Sequence, residues 1–127
     1  MRHAALLILL LLFAGGCGAP GQPQRAKTVI ETFQWDLDFS ARELAGMELE
    51  AGRLPASSDR VQLLDQIANT QKSIEESREV LRLLEENNDV IADEYREEAL
   101  DEESVRLEQI RQDSSNIRKE LIKAQRR

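Results

Sequence analysis

The sequence predicts an all-α protein: one shorter amino-terminal helix followed by a long amphipathic helix of coiled-coil character, or by a helical hairpin in its place. Apolar residues recur at intervals of three and four from Val29 almost to the end of the chain, which is the period of one helix face. From Val61 to the carboxyl terminus there is neither Gly nor Pro. The one alternating apolar segment, Phe33, Trp35, Leu37 and Phe39, has the period of a strand, but nothing else in the chain supplies it with a strand partner.

Taken in order, residues 1–16 form a targeting segment. Arg2 supplies a basic start, residues 4–14 are uniformly apolar, and Gly15, Gly16 and Cys17 follow. A basic start, a short apolar stretch and small residues at the cut define a secretory signal peptide. The apolar run is shorter than the roughly 20 residues that a membrane-spanning helix needs. Residues 17–27, rich in Gly, Pro and Gln without apolar period, read as a flexible tether.

The first helix is expected over 28–51. "TVIE" at Thr28 to Glu31 has the form of a capping box, in which the hydroxyl accepts from the N3 amide and Glu31 reaches back. "SARE" at Ser40 to Glu43 offers a second possible start. The stripe runs through Val29, Ile30, Phe33, Leu37, Leu44 and Met47, and Gly52 with Pro55 ends it,. Trp35 and Phe39 form an i, i+4 pair away from that stripe,. The small helix thus has two apolar faces. Either the second serves a partner or the lipid interface, or both are buried in one bundle or homo-oligomer.

Residues 52–58 read as a turn, and 59–125 as a long helix or hairpin, with Asp59 and Gln62 marking its start,. Its stripe passes through Leu63, Ile67, Thr70, Ile74, Ser77, Leu81 and Leu84, then Ile91, Tyr95, Ala99, Leu107, Ile110, Ile117 and Leu121. Three steps of four between Tyr95 and Leu107 make a heptad stutter. Seam continuity through Leu84, Ile91 and Tyr95 favours a continuous rod. Asn87, able to end a helix in left-handed geometry, and Asp89, able to cap the next, favour a hairpin.

Composition narrows the function. The chain carries 17 Lys and Arg against 24 Asp and Glu, for a net charge of −7. Such acidity argues against nucleic acid, whose phosphates need clustered Lys and Arg. The one histidine, His3, and the one cysteine, Cys17, both fall in or beside the targeting segment. The mature chain therefore has no imidazole for general-base work or metal ligation, and no phosphate loop or nucleophile elbow appears. No enzyme activity, cofactor or metal site is expected.

Charge is also segregated. Residues 85–103 hold ten acidic residues and one basic, Arg96, whereas 106–127 hold seven basic and three acidic. Acids near a helix start and bases near its end suit the helix dipole. The acidic block could alternatively dock a partner, and the basic tail could meet anionic lipid, a wall polymer or the acidic block of a second copy.

Ala14, Gly15, Gly16 and Cys17 resemble the lipobox of bacterial lipoproteins, an aliphatic residue and two small ones before an invariant cysteine. Most lipoboxes carry leucine where Ala14 stands. The resemblance covers only the first 17 or so residues. It implies cleavage between Gly16 and Cys17, a diacylglyceryl group on Cys17 and a further acyl chain such as palmitate on the new amino terminus. Gly18, rather than Asp, implies sorting to the outer membrane in a diderm bacterium, facing the periplasm. Two or more acyl chains give stable anchoring where one is marginal.

The expectation is therefore a lipid-anchored helical envelope protein that acts as scaffold, spacer or assembly accessory, through coiled-coil self-association or helix-face contacts. The alternative is a small monomeric bundle that binds one protein, of secretion-assembly or inhibitor type. Candidate interface residues are Trp35, Phe39, Leu81, Leu84, Ile91 and Tyr95. Palmitate supplied to cells is expected to label the wild-type chain and not Cys17→Ser, and equal membrane association of the two contradicts the anchor.

Overall fold

Three seams of mostly apolar side chains, each stepping alternately by four and three residues, decide how the chain folds. In the computed structural model, which describes residues 22–127, they lie on α1 (Gln22–Gly52), α2 (Ser58–Glu86) and α3 (Asp93–Arg126). The α1 seam is Ala26, Ile30, Phe33, Leu37, Ser40, Leu44, Met47 and Ala51. The α2 seam is Leu63, Ile67, Thr70, Ile74, Ser77, Leu81 and Leu84. That of α3 is Arg96, Leu100, Glu103, Leu107, Ile110, Ser114, Ile117 and Leu121. A strict seven-residue repeat keeps one side of a helix facing its neighbours over its whole length.

Each helix packs on both others, so the seams close on one another. Side-chain pairs at the rims show the directions. On α1 and α2, Asp38 meets Arg78 at 3.0 Å and Glu48 meets Gln71 at 3.0 Å, the numbers falling on one helix as they rise on the other. On α1 and α3, Arg111 meets Asp36 at 2.7 Å and Arg118 meets Glu43 at 3.9 Å, rising together. Arg127, at the end of α3, pairs with Asp59 at the start of α2 at 2.5 Å. The topology is up-down-up, with no strand among the described residues. No described helix is long and apolar enough to cross a membrane.

Of the two alternatives for residues 59–125, a continuous helix or a hairpin, the structure has the hairpin, and the first helix, at 31 residues, is not shorter than α2 at 29. The chain turns back at residues 87–92 because a one-sided stripe needs a neighbour, and two more helices of the same chain supply it. Asn87 caps α2 with φ −109° rather than left-handed geometry, and its amide donates to the Leu83 carbonyl at 3.1 Å. The Asn87 carbonyl then accepts from the amides of Val90 and Ile91, at 3.0 and 2.9 Å. Ala92, not Asp89, precedes α3 as its N-cap.

Freed from register with α2, α3 buries Arg96 and Leu100 in the seam, leaves Ala99 only partly buried against the core, and the stutter disappears. Tyr95 points out, 74% exposed.

Other boundaries shift for local reasons. α1 starts at Gln22, so helix replaces part of the expected 17–27 tether. Pro23 is compatible with a first turn, whose amides lack helical partners, and buried Ala26 extends the seam toward it. Thr28 therefore sits inside the helix, where its hydroxyl donates back to the Gln24 carbonyl at 3.3 Å instead of forming a capping box. Ser40, the other possible start, is buried mid-helix. The strand-like alternation of Phe33 to Phe39 resolves as helix, with Phe33 and Leu37 inward and Trp35 and Phe39 outward. At the first turn, α1 ends with Gly52 and Ser57 caps α2, its hydroxyl accepting from the Arg60 amide at 3.2 Å. This cap lies two residues before the expected Asp59.

Residues 1–21, with the targeting segment, the Gly16–Cys17 cut and Cys17 itself, lie outside the described residues.

Truncating a fully buried seam residue, Ile74→Ala or Leu81→Ala, is expected to cost about 2–5 kcal/mol. Leu83→Ala, on the outer side of the same helix, is expected to change stability by about 0.5 kcal/mol or less. Urea unfolding of the three variants checks the contrast.

Candidate functional site

The six candidate interface residues do not form one surface. Leu81 and Leu84 belong to the core and are withdrawn as contacts, because the α2 seam that carries them is covered by α1 and α3. Ile91 is half-buried in the second turn and packs on the core. Trp35 and Phe39, 79% and 61% exposed, stand on the outer side of α1. Tyr95 stands apart from them, beside the turn between α2 and α3.

On α1 the outer side has a period of its own. Thr28, Thr32, Trp35, Phe39, Arg42, Gly46 and Leu49, and Arg53 just past its end, follow each other by steps of four and three, and all are exposed. The spacing matches that of the inward seam, about half a helical turn away. Leu49, 67% exposed, extends the Trp35–Phe39 pair into a ridge. Leu49 is not among the candidate interface residues named from the sequence, although its place 14 residues beyond Trp35 is a readable signal.

The second surface is the end of the bundle where the α2–α3 turn lies beside the start of α1. Gln24, Lys27 and Ile30 line one cleft with Glu85, Asn88 and Asp89. Val90 and Tyr95 project there with 81% and 74% of their surface exposed, among the acidic residues Glu86, Asp89, Asp93 and Glu94.

This turn is held by Arg96, the one basic residue of the acidic block. Its guanidinium, 3% exposed, pairs with Asp93 at 2.5 Å and donates from Nη2 to the carbonyls of Ile91, at 3.0 Å, and Asn88. A planar fork with several donors suits two backbone carbonyls and a carboxylate at once. The arginine occupies a seam position because it closes the end of the core and satisfies carbonyls that the turn leaves without helical partners.

Inside the bundle, Glu103 interrupts the apolar seam at 2% exposure. Burial pushes its carboxyl above the ordinary range, which nearby Ser77 on α2 and Arg106, 3.6 Å away, offset in part. Glu102 pushes in the same direction as burial. Neither Ser77 Oγ nor Glu103 Oε2 completes a well-formed hydrogen bond, so the pair is polar without being fully satisfied.

The basic tail makes contacts within the chain. Arg111, Arg118 and Arg127 meet Asp36, Glu43 and Asp59 of α1 and α2. Among the described residues no group of acidic side chains is arranged to hold a metal ion. Another groove, between α1 and α3, is lined by Phe39, Ser40, Ser114 and Ser115 and bordered by the Asp36–Arg111 and Glu43–Arg118 pairs. It is an open furrow between helices. Gly16 and Cys17 lie outside the described residues.

No known protein family, curated protein or solved structure matches the chain.

Glu103→Gln is expected to stabilise the protein at neutral pH. A carboxyl whose folded pKa is raised contributes stability that is complete below its unfolded value and fades as pH rises through the folded one. The advantage of Gln over Glu is therefore expected at pH 7 and to vanish once the pH falls below the ordinary value near 4.5. Denaturant melts of both chains across that range check the sign. Arg96→Ala is expected to cost about 2–4 kcal/mol, since it strips a charged donor from buried carbonyls. Hydrogen exchange at residues 87–92 is expected to rise with it.

Proposed function

We propose that the chain is a lipid-anchored helical bundle of the cell envelope that binds a specific protein as an assembly accessory or inhibitor-type lipoprotein. The observation that carries this reading is where the seams end up. All three are covered within one chain, so burying them calls for no second copy, and this favours a monomeric binder over a self-associating spacer. What the fold leaves outside is a small set of apolar side chains at defined places, and such anchors suit recognition.

The protein-facing end of the bundle is the α2–α3 turn. Val90 and Tyr95 project from it, and the surrounding Glu86, Asp89, Asp93 and Glu94 select a partner with basic residues around an apolar notch. The Arg96 clamp keeps this turn in one shape, which lowers the ordering cost of binding. The lipobox-like Ala14–Cys17 segment supports the envelope location, with Cys17 as the anchor.

A photo-reactive residue placed at Tyr95 in growing cells is expected to cross-link to one envelope protein of another kind, in proportion to that protein's abundance. Cross-links only to a second copy of this chain, or none from positions 90 and 95, contradict the reading.

A further inference from the structure

We propose that the outer ridge of α1 (Trp35, Phe39 and Leu49, with Arg42 and Arg53 between and beyond them) is a membrane-contact face that lays α1 along the lipid surface. The inference rests on the anchor at Cys17. It adds a second membrane contact to that anchor and leaves the α2–α3 turn for the protein partner.

Connection length is the first argument. α1 begins at Gln22, so only residues 18–21 separate it from Cys17. Five chain steps span at most about 18 Å, less than the length of α1, which at 1.5 Å per residue is about 46 Å. A bundle held so closely meets the lipid either with the end that carries the α1 start and the acidic α2–α3 turn or with a side of α1. Trp35 lies roughly 20 Å along the helix from Gln22, within the part nearest the anchor.

Composition is the second. Trp and Phe are suited to the boundary between headgroups and acyl chains, while Arg reaches toward phosphates along an apolar stem. Thr28, Thr32 and Gly46 complete the ridge, with the exposed Glu31, Asp38 and Glu50 along its borders, and a Cβ at Gly46 meets nothing within 4 Å. The acidic end of the bundle, by comparison, carries Glu85, Glu86, Asp89, Asp93 and Glu94, and anionic lipid repels it.

Area is the third. Two aromatics and a leucine offer on the order of 400 Å² of apolar surface, about half of what each partner buries in a stable protein complex. A lipid surface needs less. A short link raises the effective concentration to the order of millimolar, so a contact too weak to recruit the free protein is populated once the anchor is in place.

Trp35 is the single tryptophan, so its fluorescence reports this ridge alone. The acylated full-length mature chain is reconstituted in phosphatidylcholine vesicles, with or without phosphatidylglycerol, and with lipids brominated near the headgroup end of their chains. The emission is expected to shift to the blue relative to Cys17→Ser in solution. Brominated lipid is expected to quench it about twofold or more, and Phe39→Ser with Leu49→Ser to reduce that quenching. If the chain floats with the vesicles while Trp35 stays unshifted and unquenched, the ridge proposal fails and the anchor stands. If the chain does not float with them, anchor and ridge fail together. A blue shift that grows with protein concentration in the absence of lipid assigns the ridge to a second copy and overturns the proposal. Shielding that appears only when solubilised envelope proteins are added assigns it to a protein partner and overturns it as well.

Discussion

A stripe one side chain wide cannot be hidden by the helix that carries it, and this constraint organises the molecule. Ile30, Leu37, Leu44, Ile74, Leu81, Leu100 and Ile110 are almost fully buried, though each belongs to a helix whose other sides face water. The burial is possible because the chain reverses twice and returns α2 and α3 to α1. Each fully buried aliphatic side chain contributes about 1.5–3 kcal/mol relative to exposure, and the gain is realised only when all three seams meet. The turns are consequences of that requirement. Ser57 and Arg96 then set where each reversal happens.

The seams are not uniformly apolar. Ser40, Thr70, Ser77, Arg96, Glu103 and Ser114 take seam positions, and polar residues there lower stability while favouring one register over its neighbours. Thr70 satisfies itself by donating to the Gln66 carbonyl at 3.0 Å. Arg96 is satisfied at Nη1 and Nη2 by the turn, while its Nε lacks a partner. Ser77, Ser114 and Glu103 each keep a buried oxygen without a partner, and the buried Glu103 carboxyl, held above its ordinary range, makes the middle of the α2–α3 interface sensitive to pH. The rim ion pairs, such as Arg111–Asp36, are largely exposed and contribute little each. Their value lies in matching the charges of one helix to those of the next, which uses the basic tail within the chain.

How much of this was legible from the residues differs by element. The α2 seam, Leu63 to Leu84, is readable in full because its steps of four and three are unbroken, with only the small Thr70 and Ser77 among the aliphatic residues, and Gly and Pro are absent. The α3 seam is readable from Leu107 onward and misread before it. There an arginine and a glutamate hold core positions, while Tyr95 and Ala99 look apolar yet lie one residue out of register. No local rule separates these cases, since what buries Arg96 is the turn it clamps. Thr28 was misleading in the same way: a capping box is a local signal, and burial of Ala26 on the neighbouring helices overrode it. The separation of Trp35 and Phe39 from the inward stripe was legible, because spacing alone places them on the other side of α1.

The described residues form a self-contained bundle with an aromatic ridge on one side and an acidic, apolar-tipped turn at one end. Its existence depends on α2 and α3 folding back on each other within one chain. Spin labels on Asp59→Cys and Arg127→Cys, in a Cys17→Ser background diluted with unlabelled chain, test it directly by pulsed dipolar spectroscopy. A short distance within one molecule is expected, as the contact between Asp59 and Arg127 requires. A continuous α2–α3 rod places the same labels about 100 Å apart, and a distance of that order contradicts the fold.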